Sequence, residues 1–437
     1  MIQLFDSKNY KVEKDIEVNR IIDINDLSAY TVTTYYSIIK QFALCIGKSY
    51  HDIICEIKEL QRDKIVGNDI IRYNPNDSLI NDYIHKYIQF MINNGNKNST
   101  VNLKTKHLLS LLKKSNIEIP KISFKNEAKQ KKVKLITTDD IRFILNNSSL
   151  HHQALITFMA STGIRRYDVI NTFKIEDFIE ACSDYTDAIF LDDFLESAQE
   201  NMVPYFEFIP NKTKKTGLPC KVCCSSEASN LIIQSLKARL KSIETHNKVH
   251  HDNLVLDEEC PLFSSKKKNY IGKFDDSSIS GIFFQKNKLL KAKKEKLLDN
   301  QLRNHEISKK EWRFKKENIP KFHPHGLRYR FISTIRAYTT NRDISLLMEG
   351  HASSINTDKY YVGESEELFN KETIKNNYLQ VMPYLTFFQS IDPVSYMEKE
   401  AETIKLQDKI NLLEKKINEM EEMKRYLQEN SVLNDIK

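Results

Sequence analysis

The chain has 437 residues, 40% hydrophobic and 10% aromatic, enough to fill two or three separate cores and too many for one. Charged residues make up 29% and mean hydropathy is -0.50; with no run of about 18 apolar residues, no membrane span is expected. The seven cysteines are odd in number and irregular in spacing, which argues against a disulfide framework and for a reducing cytosol. The first fifteen residues lack the apolar core of a secretory signal, so the protein is expected to stay where it is made.

Residues 1–118 read as a helical domain. Ser28 and Thr31 are candidate N-caps for a helix with Tyr35, Ile39, Phe42, Ala43 and Ile46 on one face. A second amphipathic segment carries Ile84, Tyr87, Ile88 and Met91, and a third starts at Ser99 or Thr100 and carries Leu108, Leu111 and Leu112. Gly95 and its asparagine neighbours mark a loop between them. Residues 119–136 hold Pro120, few apolar residues and Lys121, Lys125, Lys129, Lys131, Lys132 and Lys134, a basic linker composition.

A new unit spans 137–393. It opens at Thr137-Thr138-Asp139-Asp140, a cap ahead of the apolar positions Ile141, Ile144 and Leu145. Tyr205 to Ile209 alternates weakly, and Leu218 to Cys224 is its expected hairpin partner across a turn at Lys214–Gly217. Cys220, Cys223 and Cys224 form a C-x-x-C-C cluster. A structural zinc site needs a second ligand pair, which the scattered His250 and Cys260 do not supply convincingly, and the three are read as strand cysteines. Lys286 to Lys316 is lysine-rich and expected to be helical and exposed; such a basic run is usually a solvated face, and it is also a candidate for contact with a phosphate backbone. The tail, 394–437, places Leu406, Ile410, Leu413, Ile417, Met420 and Leu427 at heptad spacing, with Lys424 breaking one core position. It fits a short coiled coil or a single amphipathic helix packed on its own domain equally well.

Four of the ten glycines sit in short clusters rich in reactive side chains: Ser161-Thr162-Gly163-Ile164-Arg165, Lys215-Thr216-Gly217, His325-Gly326-Leu327-Arg328 and Gly350-His351. Two arginines offer planar donor forks to one phosphate, histidines move protons near neutral pH, and cations stabilise a tyrosinate nucleophile. There is no acidic cluster for paired magnesium ions and no G-x-x-x-x-G-K-[ST] phosphate loop. The combination fits metal-free phosphoryl transfer through a covalent intermediate.

These residues resemble the tyrosine recombinase (phage integrase) family. S-T-G-I-R-R-Y-D resembles its first arginine box, with Arg165 and the supporting acid Asp168. H-G-L-R resembles its H-x-x-R box, with His325 and Arg328. L-M-E-G-H-A-S-S-I-N-T-D-K-Y resembles its ending, with His351 and, nine residues on, the nucleophile Tyr360. K-K-T-G-L-P resembles its β-hairpin lysine motif, which points to Lys215, although Lys212 and Lys214 compete. Tyr361 adjoins Tyr360, and helix neighbours point about 100° apart, so only one can face the phosphate.

The resemblance implies a mainly α fold with a small antiparallel β-sheet in the catalytic domain, an α+β DNA breaking-rejoining enzyme. A helical core-binding domain would precede the catalytic domain, and a C-terminal helix or short coiled coil would follow it. It implies site-specific cutting and rejoining of double-stranded DNA for a mobile element. No cofactor is implied, the working state is a tetramer on DNA, and the location is cytoplasmic, at a prokaryotic nucleoid. Lys129, Lys131, Lys132 and Lys134 would meet the DNA backbone. A type IB topoisomerase-like relaxing enzyme shares this chemistry. A non-catalytic DNA-binding architectural protein would suit the basic runs and the tail but leaves the ordered catalytic set unexplained. Departures from the family are Met348-Glu349 ahead of Gly-His, a long acidic excursion at 179–203, and the long lysine-rich stretch between Phe284 and Lys321.

Overall fold

The computed structural model describes residues 10–25, 27, 29–61, 64–66, 69–71, 79–119, 135–265, 270–339, 341–350, 370–388, 409 and 416. The chain divides into two compact units, Met1–Lys132 and Val133–Lys437. Lys129, Lys131, Lys132, Lys134, Ser28, His351, Tyr360, Tyr361 and the heptad positions of the tail lie outside the described residues.

The described residues of the first unit form a helical bundle of α1 (Ile16–Asn25), α2 (Ala29–Ile46), α3 (Tyr50–Leu60), α4 (Leu79–Asn93) and α5 (Asn98–Lys114). A two-stranded antiparallel hairpin joins α3 to α4, with β1 (Lys64–Val66) pairing β2 (Asp69–Ile71) from Lys64↔Ile71 to Val66↔Asp69. The stripe read from the sequence is the core face of α2: Ile39, Phe42 and Ala43 are fully buried against α4 and α5, Tyr35 nearly so. Phe42 meets Tyr87 of α4 edge-on, with centroids 5.5 Å apart. Thr31 is not a cap, because α2 has already begun at Ala29. Gly95 turns the chain between α4 and α5 at φ 74°, a conformation open to glycine at no steric cost.

The described residues of the second unit are also mostly helical, with one small antiparallel sheet among them. Thr137 caps α6 (Thr138–Asn146) in a reciprocal box with Asp140, satisfying two otherwise unpaired backbone donors. At its centre lies α7 (Leu150–Thr162), whose last nine residues, Ala154 to Thr162, are all buried. Because α11, α14, α6 and the sheet surround it, α7 has no polar face and shows no amphipathic period. Short helices α8 (Arg166–Asn171), α9 (Ile175–Ala181) and α10 (Leu191–Ser197) follow, the last inside the acidic excursion. β3 (Tyr205–Phe208) pairs β4 (Cys220–Cys223), from Tyr205↔Cys223 to Phe208↔Cys220. The connection is a 3-10 turn, Asn211–Thr216, ended by Gly217 at φ 66°. Cys220, Cys223 and Cys224 are buried in or beside β4.

Helix α11 (Ser226–His250) packs along α7, and α12 (Asp276–Arg303) folds back through α13 (Lys309–Glu317) to α14 (Pro324–Tyr338), α15 (Arg342–Glu349) and α16 (Lys371–Val381). The largely irregular stretch between α11 and α12 is held by Arg239 of α11, 1% exposed. Its guanidinium donates to the carbonyls of Pro261 (3.0 Å), Leu262 (2.9 Å) and Tyr270 (2.6 Å). Burial pushes its pKa down to about 10, still well above neutral.

Candidate active site

Three sequence-distant clusters meet at the C-terminal end of α7. Gly163 caps that helix in the left-handed region, φ 62°, which frees its carbonyl to face α14. Arg328, one turn into α14 and 6% exposed, donates through Nη1 to the Gly163 carbonyl (2.7 Å) and through Nη2 to the Glu349 carbonyl (2.5 Å). Arg165, just past Gly163, donates through Nη2 to the carbonyl of Gly350 at 3.4 Å. Two guanidinium forks are thus seated on the carbonyls of the S-T-G-I-R and E-G-H segments. Both arginines line a hollow of about 380 Å³ together with Ile164, Arg166, Tyr167, His323, Pro324 and His325.

The electrostatics of this hollow favour an anion. Burial, and then the like charge of Arg165, pushes the Arg328 pKa down to about 10, so it remains a cation at neutral pH and gains from any incoming negative charge. The nearby carboxylate does not occupy the hollow. Asp168 of α8 is 1% exposed, and its Oδ1 accepts the backbone N–H of Asn211 at 3.0 Å. Desolvation raises its pKa, while the Asn211 N–H, Arg165 and Arg328 act to lower it. Asp168 therefore ties the arginine segment to the β3–β4 connection that carries Lys212, Lys214 and Lys215. All three lysines are exposed on that turn, and none lines the hollow.

The segment leading to His351 is held from both sides. Gly350 ends α15 at φ 58°, and a β-carbon there would stand 3.1 Å from Cys220 Cβ and 3.2 Å from Pro210 Cγ. The Cys220 thiol donates to the Met348 carbonyl at 3.4 Å. Burial pushes its pKa up to about 12, so it stays a thiol and is no competing nucleophile. Glu349, fully buried, accepts from Arg336 Nε (2.6 Å) and Nη2 (2.7 Å) of α14. This two-point pair accounts for the unusual Glu349: its side chain faces α14 and needs a cation there.

Of the expected site residues, Arg165, His325 and Arg328 share the hollow and Asp168 lies just behind it. His323, Arg166 and Tyr167 are additions that motif matching passes over. His323 is the N-cap of α14, its Nδ1 accepting from Gly326 N–H at 3.1 Å, with its ring 6.3 Å from that of His325. Desolvation, then His325 and Lys321, lower its pKa, in keeping with a neutral acceptor nitrogen. The H-P-H spacing, with proline at the first helical position, was the available signal.

No protein-family model matches the chain, and no curated protein matches it. Solved structures do. The XerA recombinase is 16% identical, with 84% of this chain and 98% of that one covered and a TM-score of 0.31. The Tn1549 transposon integrase in complex with transposon right-end DNA is 13% identical, covering 81% and 98%, with a TM-score of 0.43. The integrase from mycobacterium phage Brujita is 12% identical, covering 86% and 94%, with a TM-score of 0.29. Each likeness is partial, and the chemistry of the site is read from this chain's own residues.

Proposed function

We propose that the protein is a tyrosine-type site-specific DNA recombinase with the breaking-rejoining fold of that family. The observation that carries the reading is the pair Arg165 and Arg328, 163 positions apart in sequence, seated on the carbonyls of Gly163, Glu349 and Gly350 and lining one hollow with His325. A scissile phosphate fits this arrangement: two preorganised cations meet its non-bridging oxygens and oppose the charge that builds on them in the transition state.

In this reading the Tyr360 hydroxyl oxygen attacks phosphorus as its proton leaves with help from His325. The bond from phosphorus to the 5′-oxygen breaks, and that oxygen takes a proton from Lys215. The product is a 3′-phosphotyrosyl enzyme and a free 5′-hydroxyl. His351 donates a hydrogen bond to the phosphate. Attack by a 5′-hydroxyl from a second duplex reverses the step, so the bond energy is kept and neither metal nor nucleotide is consumed. Asp168 holds the turn bearing Lys215 against the arginine segment. The basic linker with Lys129, Lys131, Lys132 and Lys134 tracks the DNA backbone. Four protomers act on two sites at the prokaryotic nucleoid, the heptad tail passing between neighbours.

The test is covalent trapping on a nicked suicide duplex. Wild type should give a protein–DNA adduct, and Tyr360→Phe should bind the duplex equally well and give none. Adducts that survive Tyr360→Phe and disappear with Tyr361→Phe would move the nucleophile by one residue. Binding with no adduct from wild type on its optimal site would leave an architectural DNA-binding protein.

A further inference from the structure

Among the described residues the largest block of positive charge lies in one element. Residues 286–321 hold 13 Lys and Arg against 5 Asp and Glu, a net of +8, while the whole chain nets +7, so everything else sums to −1. This segment is an ordered helical hairpin. The last fully buried residue of α12 is Leu290, and Lys294 still pairs with Asp140 of α6 at 2.6 Å. From there α12 runs nine more residues to Arg303, about 14 Å at the helical rise, accompanied by α13. Ser308 and Glu311 cap α13 reciprocally. Trp312 Nε1 donates to Asp299 Oδ1 at 2.9 Å, and Lys316 lies 4.7 Å over the Trp312 ring and 3.8 Å from Glu295.

The acids of the hairpin are thus largely used internally, in its cap and between its helices. Six of the cations are not. Lys296, Arg303, Lys309, Lys310, Arg313 and Lys315 are all exposed and form no salt bridge among the described residues. Phe314, 63% exposed, and Leu297, 50% exposed, sit among them. The root of the hairpin is fixed beside the hollow. Phe322, 1% exposed, stacks on Phe283 at 5.3 Å, its N–H donates to Asn287 Oδ1 at 2.8 Å, and the next residue, His323, lines the hollow.

We propose that the α12–α13 hairpin is a basic arm that grips the phosphate backbone of duplex DNA outside the cleavage site, enlarging the footprint of the catalytic unit. The inference rests on the proposed function for the identity of the polyanion. A rooted, charged projection carries a strong local field, which both attracts a duplex and orients it. Each arm cation that neutralises a phosphate releases a condensed counterion, so the contact is read directly in the salt dependence of binding.

The experiment uses the full chain with Lys309→Gln, Lys310→Gln, Arg313→Gln and Lys315→Gln combined, all at exposed positions outside the hollow. Duplex binding is titrated across salt concentrations, and covalent adduct is measured at saturating protein. The slope of log affinity against log salt should fall by about 2 to 4, with adduct yield within twofold of wild type. Trp312 is the only tryptophan in the chain, so its emission reports on the arm alone; bound duplex should shield it from acrylamide in wild type. An unchanged slope, or a Trp312 as open to acrylamide with duplex as without, overturns the proposal and leaves a solvated face or a surface for an acidic protein. A reduced slope with no adduct from wild type would keep the arm and remove the recombinase chemistry, so the two readings fail separately.

Discussion

Gly163→Ala tests how tightly the arginine hollow is coupled to the core. Gly163 has φ 62°, and a β-carbon built on it stands 2.1 Å from Phe331 Cδ1 and 2.6 Å from Cγ. Phe331 is fully buried in α14, so its ring has no solvent to swing into. The left-handed backbone costs a residue with a side chain about 1 kcal/mol, and displacing a well-packed ring costs about 1–3 kcal/mol more. The expected loss is therefore about 2–4 kcal/mol. Gly95→Ala is the built-in control, since Gly95 has φ 74° with no atom within 4 Å of the added carbon and should lose only the backbone part. Arg328 sits one turn before Phe331 on α14 and leans on the Gly163 carbonyl, so displacing the ring also moves the arginine. Urea unfolding and adduct formation should both separate the two variants, with at least a tenfold activity loss only for Gly163→Ala. Equal losses in the two variants would refute the coupling.

Three further outcomes follow from the same geometry. Arg328→Lys replaces a fork that reaches two carbonyls with a single ammonium; it should destabilise by about 1–3 kcal/mol and reduce adduct formation at least a hundredfold, measured by unfolding and by trapping. Arg336→Ala removes a two-point cationic partner from the buried Glu349 carboxylate and should destabilise by about 2–4 kcal/mol, whereas the apolar pair Arg336→Met with Glu349→Met should recover part of that loss. His152, held neutral by burial and then by Lys286 and His151, has its pKa pushed down to about 4. The unfolded chain takes up this proton first, so stability should fall as pH drops from about 7 towards 4. His152→Gln should flatten that decline in urea midpoints measured at pH 7.5 and pH 5.

The helical faces were legible because they obey local periods. Ile39 and Phe42 in α2, and Leu108, Leu111 and Leu112 in α5, are core residues as their spacing predicts, and the Thr137–Asp140 cap formed where its residues stood. The β3–β4 hairpin came out with shorter strands, its turn wound into 3-10 form. The β1–β2 hairpin, only three residues a side, offered too short a pattern to read. In α10 the apolar spacing of Leu191, Phe194 and Leu195 was present but obscured by Asp192 and Asp193, which suit the positive end of a helix. At the site, Arg165, His325 and Arg328 were legible because glycine-bearing motifs announce them. Arg336 as the partner of Glu349 was not, since two helices have to be packed before that pair exists, and no local rule reports on it.

Arg239 gives the stretch between α11 and α12 a cohesion that the isolated bridges among its described residues would not supply. Hydrogen bonds in a sheet break one after another from an edge, but here the carbonyls of Pro261, Leu262 and Tyr270 share one donor group. Releasing any of them properly means withdrawing the guanidinium from all three. This side of the unit should then open in amide exchange as one cooperative step and not by fraying, with a single side chain setting the threshold.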